Sequence, residues 1–502
     1  MLNYFQARST GGVDLLFNSY EFIFLFLPIS LVVFFLLAKI EGKTIAALWI
    51  VLSSFFFYGW WDWHYVPLLF ASICFNYFVG ERIKISSNRK AWLAFGIGTN
   101  LAMLGYYKYT GFFLATINDL AGREIYDVPT IILPLGISFF TFTQTAYLLD
   151  VHGGGTLSRD HEQASFLFYC EFVTVFPHLI AGPIIDHRKM MPQFFAVKNY
   201  SVDYQNLATG LMIFIIGLFK KVLIADRLSP WVGDVFARAD SLTFIEAWLG
   251  AIGYTFQLYF DFSGYSEMAI GLGRMFNLSF PTNFDSPYQA RSIIDFWRRW
   301  HMTLGLWVKE YLYIPFGGNR QGELLKMRNL FFSMLLIGFW HGAGWTFIFW
   351  GALHGILLMI NHQWRRLDIN FPDVLNWGLT FLSVTVCWVF FRAESFREAV
   401  AVLWAMVDVR HIALPVDIPY VQSLGWLQTW GVSLVPMGSI GGGVFLKFLA
   451  LVALLLIVLL KCPNPQKWIL QPSMKWMAVV AGMFFSSLWF LGSSSEFLYF
   501  QF

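Results

Sequence analysis

The amino-acid sequence predicts an all-α, polytopic membrane protein. Of its 502 residues, 57% are hydrophobic and only 13% are charged, whereas a soluble domain has roughly 45–50% apolar and about 25% charged residues. So few charges could not cover the apolar surface of a soluble protein of this length. Long apolar runs also recur along the chain, and a run of ~20 residues suffices for a transmembrane helix.

The apolar runs predict about ten to twelve membrane crossings, with re-entrant or interfacial helices around a central cavity. The first 18 residues are mixed and polar, so they do not resemble a cleavable signal peptide. The segment 329–360 is long enough for two short spans, whereas the shorter segment 302–316 is more typical of a re-entrant or interfacial helix. The other runs lie near 20–37, 44–60, 65–80, 91–107, 129–149, 164–185, 207–225, 245–262, 374–391, 444–460 and 475–492.

Basic residues in the first loops predict the orientation of the chain. The loops after the first and third runs contain Lys39, Lys43, Arg82, Lys84, Arg89 and Lys90. The loop after the second run, at 60–65, contains neither lysine nor arginine. Because cytoplasmic loops are enriched in lysine and arginine, loops one and three are expected in the cytoplasm and the N-terminus outside.

Charge and cysteine usage exclude several other classes of protein. The formal net charge is only +3 and the basic residues are scattered, so the sequence shows no basic cluster of the kind that binds nucleic acid. The complete Gly-x-x-x-x-Gly-Lys-Ser/Thr phosphate-binding motif is absent from the sequence, which argues against an ATP-driven pump. The four cysteines are too far apart in sequence to indicate a disulfide framework or a cysteine metal site. They are Cys74, Cys170, Cys387 and Cys462.

The central third of the chain, at 186–328, carries charges close to or inside apolar stretches. These are Lys220, Lys221, Asp226, Asp261, Asp295, Arg298, Arg299, Lys309 and Glu310. Ionisable groups at membrane depth are energetically costly, so they usually face a cavity or a partner. Alternatively, they mark helix ends and reach the headgroups along their aliphatic stems. For Lys220, Lys221 and Asp226 the sequence leaves both interpretations open.

Three histidines are candidates for proton transfer. His341 lies in an almost wholly apolar segment next to a glycine, His354 follows thirteen residues later, and His301 ends Asp295-Phe-Trp-Arg-Arg-Trp-His. Histidine titrates near neutral pH and can take a proton from a hydroxyl and return it. A structural core histidine is the competing interpretation. It is favoured for His354 and for His152, His161 and His411.

No metal site is predicted from these histidines. In one continuous helix, thirteen residues at about 100° each would leave His341 and His354 on widely separated faces. No histidine pair has the i, i+4 spacing that would bring both rings to one face.

Two polar motifs have a functional and a structural interpretation. In the segment 295–301, Arg298 and His301 are expected to share a helix face, while Asp295 and Arg299 can pair. This motif predicts either a phosphate-binding edge beside a histidine or a cytoplasmic helix end with a surface ion pair. The segment 257–266 carries hydroxyls and one carboxylate, which could serve function or interhelical hydrogen bonding.

Four segments together resemble the membrane-bound O-acyltransferase family: 257–273, 295–301, Tyr311-Leu-Tyr-Ile-Pro-Phe-Gly-Gly-Asn-Arg320 and Phe339-Trp-His-Gly342. Three more are similar to its alginate O-acetyltransferase branch: Phe17-Asn-Ser, Phe176-Pro-His-Leu-Ile-Ala-Gly-Pro183 and Glu496-Phe-Leu-Tyr-Phe-Gln-Phe502. The resemblance covers nearly the whole chain and implies a single domain over 1–502, with 1–15 as an N-terminal extension.

The resemblance implies an enzyme that moves an acetyl group from cytoplasmic acetyl-CoA toward an exported polysaccharide, in a bacterial inner membrane and without a metal. The histidine of the Trp-His-Gly motif, His341, is then catalytic, and His301 is the other functional candidate. The broader family often pairs its histidine with an upstream Asn or Asp, and this branch has His301 near that place. Arg298, Arg299 and, more weakly, Lys309 are the candidates to contact the phosphates of acetyl-CoA.

The acceptor and the partner are the least defined parts of this prediction. D-alanyl transfer to teichoic acid and O-acetylation of peptidoglycan or cellulose are alternatives with the same motifs. A transporter lined by buried His and Arg is the alternative from another class, although it has no reason to carry these motifs in this order. The loops are too short to form a groove for a polymer, and the resemblance implies a separate periplasmic acetyltransferase that places the acetyl group on sugar. We expect it to dock near Trp426 to Val435.

Overall fold

The computed structural model describes residues 15–154, 165–369, 371–418, 426–429, 431–435, 442–461, 464, 473–491 and 498. The N-terminal extension expected over 1–15 therefore lies outside the described residues, except for Leu15. The closing segment Glu496–Phe502 also lies outside them, except for Leu498. His161 and Cys462 are not among the described residues either.

The described chain is almost entirely helical, as the composition predicts. Its first α-helices are α1 (Leu27–Ile40), α2 (Lys43–Asp62), α3 (Val66–Ile85), α4 (Arg89–Leu104), α5 (Thr110–Ala121), α6 (Ile137–His152), α7 (Phe166–Thr174), α8 (Phe176–Leu179), α9 (His187–Phe195), α10 (Tyr204–Phe219) and α11 (Asp226–Ala237). They are followed by α12 (Phe244–Met275), α13 (Ile293–Arg299), α14 (Met302–Val308), α15 (Glu323–His341), α16 (Trp345–Trp364), α17 (Asp373–Arg392), α18 (Phe396–Ala405), α19 (Trp426–Thr429), α20 (Gly442–Lys461) and α21 (Met474–Phe490).

Shorter elements interrupt or join these helices. In the described part of the chain, four segments are π-helical: Phe22–Phe26, Gly105–Tyr109, Lys220–Ala225 and Lys309–Tyr313. Five of the described segments are 3-10 turns: Trp63–Tyr65, Val197–Tyr200, Ala239–Ser241, Pro287–Gln289 and Val409–His411. Within the described ranges, the strands are β1 (Ala413–Pro415) and β2 (Ser433–Val435), which pair in parallel with Ala413 opposite Ser433.

Four helical segments of the described chain are long and apolar enough to cross a bilayer. They are Phe22–Ile40, Lys43–Ile85, Tyr204–Ala237 and Asp373–Arg392. The second comprises α2 and α3, which the Trp63–Tyr65 turn joins. The larger count of ten to twelve crossings stays a prediction. The segment 329–360 does form two helices, α15 and α16, and 302–316 forms the short α14 and a π-helical segment.

The long helix α12 lies at the centre of the bundle. Glycines on α10 and α12 let these two helices approach each other closely. A Cβ atom at Gly217 would lie 2.5 Å from the carbonyl oxygen of Gly264, and one at Gly210 would lie 2.5 Å from that of Gly271. Such small-residue contacts are the usual way in which membrane helices pack. Nearly every residue of α12 is buried in consequence.

The central charges form ion pairs inside this α10–α12 region. Lys221 Nζ lies 2.6 Å from a carboxylate oxygen of Asp226 and 2.6 Å from one of Asp261, and Lys220 Nζ lies 2.5 Å from Glu267. All five side chains are buried. The alternative that Lys220, Lys221 and Asp226 reach the headgroups at helix ends is therefore wrong, because the charges are neutralised by partners inside the protein.

Candidate active site

His341 is the last residue of α15, at a break between two closely packed helices. Its ring lies edge-on to Trp350 and Phe391, with centroid distances of 5.3 Å to each, and is buried. The next residue, Gly342, has an extended backbone and lies against the ring of Phe347, which a Cβ atom at this position would overlap. The glycine after the histidine is thus required by packing.

The C-terminal end of α15 is held by two adjacent side chains of the Gly105–Tyr109 segment. Lys108 Nζ donates to the carbonyls of Trp340 and His341, the second at 3.0 Å. Tyr109 Oη donates to the carbonyl of Phe339 at 2.9 Å. These bonds satisfy carbonyl groups that have no partner inside the helix.

His301 occupies the turn between α13 and α14 in a left-handed conformation, with φ 44° and ψ 53°. This conformation is uncommon for a residue with a side chain, although histidine adopts it more often than most. It ends α13 at Arg299 and directs the imidazole into the protein, where it is completely buried. The expectation that Arg298 and His301 share a helix face is wrong for this reason: His301 lies beyond the end of α13 and is buried, whereas Arg298 is exposed.

Asn283 fixes the ring of His301. Its Oδ1 lies 3.0 Å from His301 Nδ1 and also accepts hydrogen bonds from the backbone N–H of Thr303, at 3.4 Å, and from its hydroxyl, at 2.9 Å. A backbone N–H can only donate, so the amide oxygen of Asn283 must face this turn. His301 Nδ1 is then the protonated nitrogen of the neutral ring, and Nε2 is the one that can accept a proton.

The two candidate histidines lie next to each other although forty residues separate them in sequence. Their ring centroids are 6.4 Å apart, with the planes inclined by 56°. Aromatic side chains surround both rings, including Phe262 against His301 at 4.8 Å. Two imidazoles in a water-poor environment can accept and return protons at one reacting hydroxyl.

His354 packs against the same tryptophan as His341. Its Nδ1 accepts a hydrogen bond of 3.2 Å from Trp297 Nε1, and its ring lies 4.9 Å from Trp350. One continuous helix would place His341 and His354 on separate faces. The helix is instead interrupted at 342–344, and both histidine rings contact Trp350. His354 is buried and bonded within the core, as the structural interpretation predicts.

The three basic candidates do not converge on one pocket. Arg299 pairs with Asp295 at 2.9 Å, as expected, and lines a cleft of about 730 Å³ together with Arg291 and Lys461. Arg298 and Lys309 are exposed and do not line this cleft.

Arg188, which the sequence motifs did not single out, contacts the residue that follows Lys309. Its guanidinium binds Asp186 at 3.0 Å and Glu310 at 2.7 Å. The hydrogen bond with Asp186 is the largest of several contacts that raise the pKa of Arg188. This residue therefore stays charged at every physiological pH.

Lys108 and Asn283 are the two residues at the site that the sequence did not single out. Lys108 is the lone basic residue in the helical stretch between Trp92 and Ala121, a signal that was visible but not interpreted. Asn283 carries a weaker signal, since it lies in an irregular segment with ordinary polar neighbours. Among the described residues, no group of three His, Cys, Asp or Glu side chains could hold a metal ion.

Comparison with known proteins gives a consistent classification. The model of the membrane-bound O-acyltransferase family matches residues 91–392. A peptidoglycan O-acetyltransferase from Helicobacter pylori is 46% identical over 428 residues, which cover 80% of this chain and 81% of the relative. A probable alginate O-acetylase AlgI from Pseudomonas aeruginosa is 42% identical over 406 residues, 78% of this chain and 74% of the relative. A teichoic acid D-alanyltransferase from Streptococcus thermophilus is 28% identical over 245 residues, 46% of this chain and 57% of the relative.

The structure is an apolar helical bundle with two neighbouring buried histidines. The family model matches more than half of the same chain. The protein belongs to the membrane-bound O-acyltransferase family, and the resemblance inferred from its motifs is confirmed. It is a membrane protein and an O-acyltransferase. The alternative of a transporter has no support from these relatives.

Proposed function

We propose that this enzyme transfers an acetyl group from cytoplasmic acetyl-CoA across the bacterial inner membrane for O-acetylation of an exported, alginate-like polysaccharide. The chain then forms one domain over 1–502, with ten to twelve crossings around a central cavity. The observation that carries the proposal is the pair of buried imidazoles of His301 and His341, with ring centroids 6.4 Å apart.

His341 is proposed as the general base. It takes the proton from an acceptor hydroxyl while the hydroxyl oxygen bonds to the thioester carbonyl carbon, and the carbon–sulfur bond then breaks. The proton passes from His341 to the departing thiolate, which leaves as a thiol. An acetyl-histidine intermediate is an allowed variant of this sequence. His301, whose Nε2 is its proton-accepting nitrogen, is proposed to assist the same transfer.

The donor is proposed to enter at the end of the bundle that carries Arg89. Helix α4 begins at this end with Arg89. Lys108 follows the opposite end of α4 and donates a hydrogen bond to the carbonyl of His341, the last residue of α15, so α15 begins at the Arg89 end. Helix α17 also begins at the Arg89 end, because its last turn brings Phe391 to His341.

The cleft of Arg299 also includes Asp373, the first residue of α17, so it lies at this donor end. Basic side chains bind phosphates through charge-assisted hydrogen bonds. Arg299 is the strongest of the three basic candidates, and Arg298 and Lys309 remain secondary ones because they are exposed outside the cleft.

Peptidoglycan is the second candidate acceptor. It is favoured by the Helicobacter pylori relative, which is named a peptidoglycan O-acetyltransferase and is 46% identical, against 42% for the Pseudomonas aeruginosa relative named an alginate O-acetylase. D-alanyl transfer has weaker support, since the relative named for it matches less of the chain. Cellulose has none among these relatives.

A separate periplasmic acetyltransferase is proposed to collect the acetyl group. We place its docking site near Trp426 to Val435, where Trp426 is 57% exposed. The protein alone, in detergent with acetyl-CoA, is expected to hydrolyse the thioester slowly and to leave long polymer unmodified. Efficient acetylation of purified polymer by this chain alone would refute the relay.

The test compares His341→Ala and His301→Ala with a matched control, His411→Ala. His411 is exposed and pairs with Asp408 far from the site. Membranes of each variant are supplied with [14C]acetyl-CoA, and the rate at which radiolabelled acetyl appears in the exported polysaccharide and in peptidoglycan is measured by scintillation counting. We expect His341→Ala to lose about 10²–10⁴-fold in rate, His301→Ala to lose less, and the control to match the wild type. Wild-type acetylation by a stably expressed His341→Ala variant would refute the assignment.

A further inference from the structure

We propose that Lys108 is a positioning residue, which holds the C-terminal end of α15 and thereby the backbone of His341 in place for acetyl transfer. This inference rests on the proposed function of His341. Lys108 itself is given no contact with the substrate. Its part is to keep the proton-accepting side chain where the reaction requires it.

The last four carbonyls of α15 all have a partner, and two side chains from another segment satisfy three of them. The carbonyl of Gly338 accepts from the N–H of Gly342 at 3.4 Å, which is a weak bond. The next three carbonyls, of residues 339–341, accept from Tyr109 and Lys108. Without Lys108, two buried carbonyls would lose their donor directly at His341, and each would carry the cost of an unsatisfied polar group.

The charge of Lys108 has the sign that this position favours. The carbonyl end of a helix carries a partial negative charge, equivalent to roughly half an electron, and a cation there is stabilising. In the described part of the chain, no carboxylate lies within ion-pair distance of Lys108, so the helix end is its counter-charge. Lys108 is half-buried in an otherwise apolar stretch, and a lysine at membrane depth is costly, which makes a functional role the default expectation.

The neighbouring geometry explains why a neutral cap would be less effective. Lys108 lies at the end of a π-helical segment, and such segments occur frequently at functional sites. Its Nζ also lies 5.9 Å from the centroid of the Trp340 ring, within reach of a cation–π interaction. One ammonium group therefore contacts both the backbone of His341 and the side chain and carbonyl of the residue before it.

The experiment compares Lys108→Met, Lys108→Arg and Tyr109→Phe with the control Lys90→Met, which removes an exposed lysine from the first turn of α4. Purified full-length protein in detergent is assayed for hydrolysis of [14C]acetyl-CoA, which gives kcat and KM. Its melting temperature is measured in the same detergent. We expect Lys108→Met to lower kcat by about 10²-fold, the loss typical of a misplaced catalytic group, with KM for acetyl-CoA unchanged.

The other variants separate a charged anchor from a simple helix cap. Lys108→Arg keeps a cation with several donors and should restore most of kcat. Tyr109→Phe removes one neutral hydrogen bond and should cost less than tenfold in kcat. Equal losses in Lys108→Met and Tyr109→Phe, or a change confined to KM or to the melting temperature, would overturn the proposal.

Hydrogen exchange gives a readout that does not depend on activity. Peptides covering residues 338–345 should exchange faster in Lys108→Met than in the wild type, and at the wild-type rate in Lys90→Met. Unchanged exchange in Lys108→Met would overturn the positioning role. If the wild type transfers no acetyl group but the exchange result holds, the proposed function has failed and the anchoring by Lys108 has not.

Discussion

Replacement of Gly351 by alanine should impair catalysis although residue 351 carries no catalytic group. A Cβ atom at Gly351 would lie 2.5 Å from the carbonyl oxygen of Met334 and 3.0 Å from the Cα atom of Gly338. Ordinary contact begins at 3.4 Å, so α16 and α15 must separate by about 0.9 Å, since neither backbone atom can rotate away. Because α15 ends at His341, the imidazole moves with it.

The size of the effect follows from this displacement. A misplacement of about 1 Å can cost about 10²-fold in rate, which corresponds to about 2.7 kcal/mol in activation free energy. Overpacking costs a further ~1–3 kcal/mol in stability, partly offset by the better helix propensity of alanine, about 1 kcal/mol. We therefore expect kcat to fall about 10²-fold in protein that still inserts and folds.

Two quantities are measured for both Gly351→Ala and Gly98→Ala: kcat for acetyl transfer from [14C]acetyl-CoA, and the melting temperature. Gly98 is the matched control, because it also lies within a helix but a Cβ atom there would meet nothing within 4 Å. The control should keep wild-type activity and gain slightly in stability. Equal kcat values for the two variants would show that the contact between α15 and α16 does not position His341.

Two further predictions concern the buried charges and the orientation. Lys221→Met should destabilise the protein by about 3–5 kcal/mol, because it leaves two carboxylates buried without a cation. The triple variant, which adds Asp226→Asn and Asp261→Asn, should have a melting temperature closer to that of the wild type. An equally low melting temperature for both variants would contradict this. A cysteine introduced at 60–66 should react with an impermeant thiol reagent applied outside intact cells, and one replacing Lys84 should not; the reverse pattern would invert the orientation and the donor side.

Composition and motifs were sufficient to predict the class of this protein, whereas the catalytic roles of His301 and His341 stay a prediction. The low charge content predicts the apolar bundle, and the ordered motifs predict the family. Asp295 and Arg299 pair as their i, i+4 spacing predicts. Composition is summed over the whole chain, and each motif or i, i+4 pair lies within one short segment, so none of these predictions requires knowledge of tertiary contacts.

Features that depend on a break in a helix were predicted poorly. The assignment of Arg298 and His301 to one face failed because His301 adopts a left-handed conformation, which the sequence pattern does not reveal. The separation of His341 and His354 expected for one continuous helix does not apply, because residues 342–344 interrupt the helix, as the possible division of 329–360 into two spans allowed. Helical periodicity holds only within a helix, and both histidine sites lie where one ends.

The contacts that hold the site together are also distant in sequence, and this explains why they were missed. Lys108 is separated from His341 by 233 residues, and a lone lysine in an apolar stretch does not indicate which helix it will meet. Asn283 holds His301 across 18 residues of irregular chain. In both cases a polar side chain compensates for backbone or ring atoms that a helix end leaves without a partner, in a region where water cannot replace it. A helix end inside a membrane protein therefore predicts that a polar partner exists, and only the fold identifies which residue provides it.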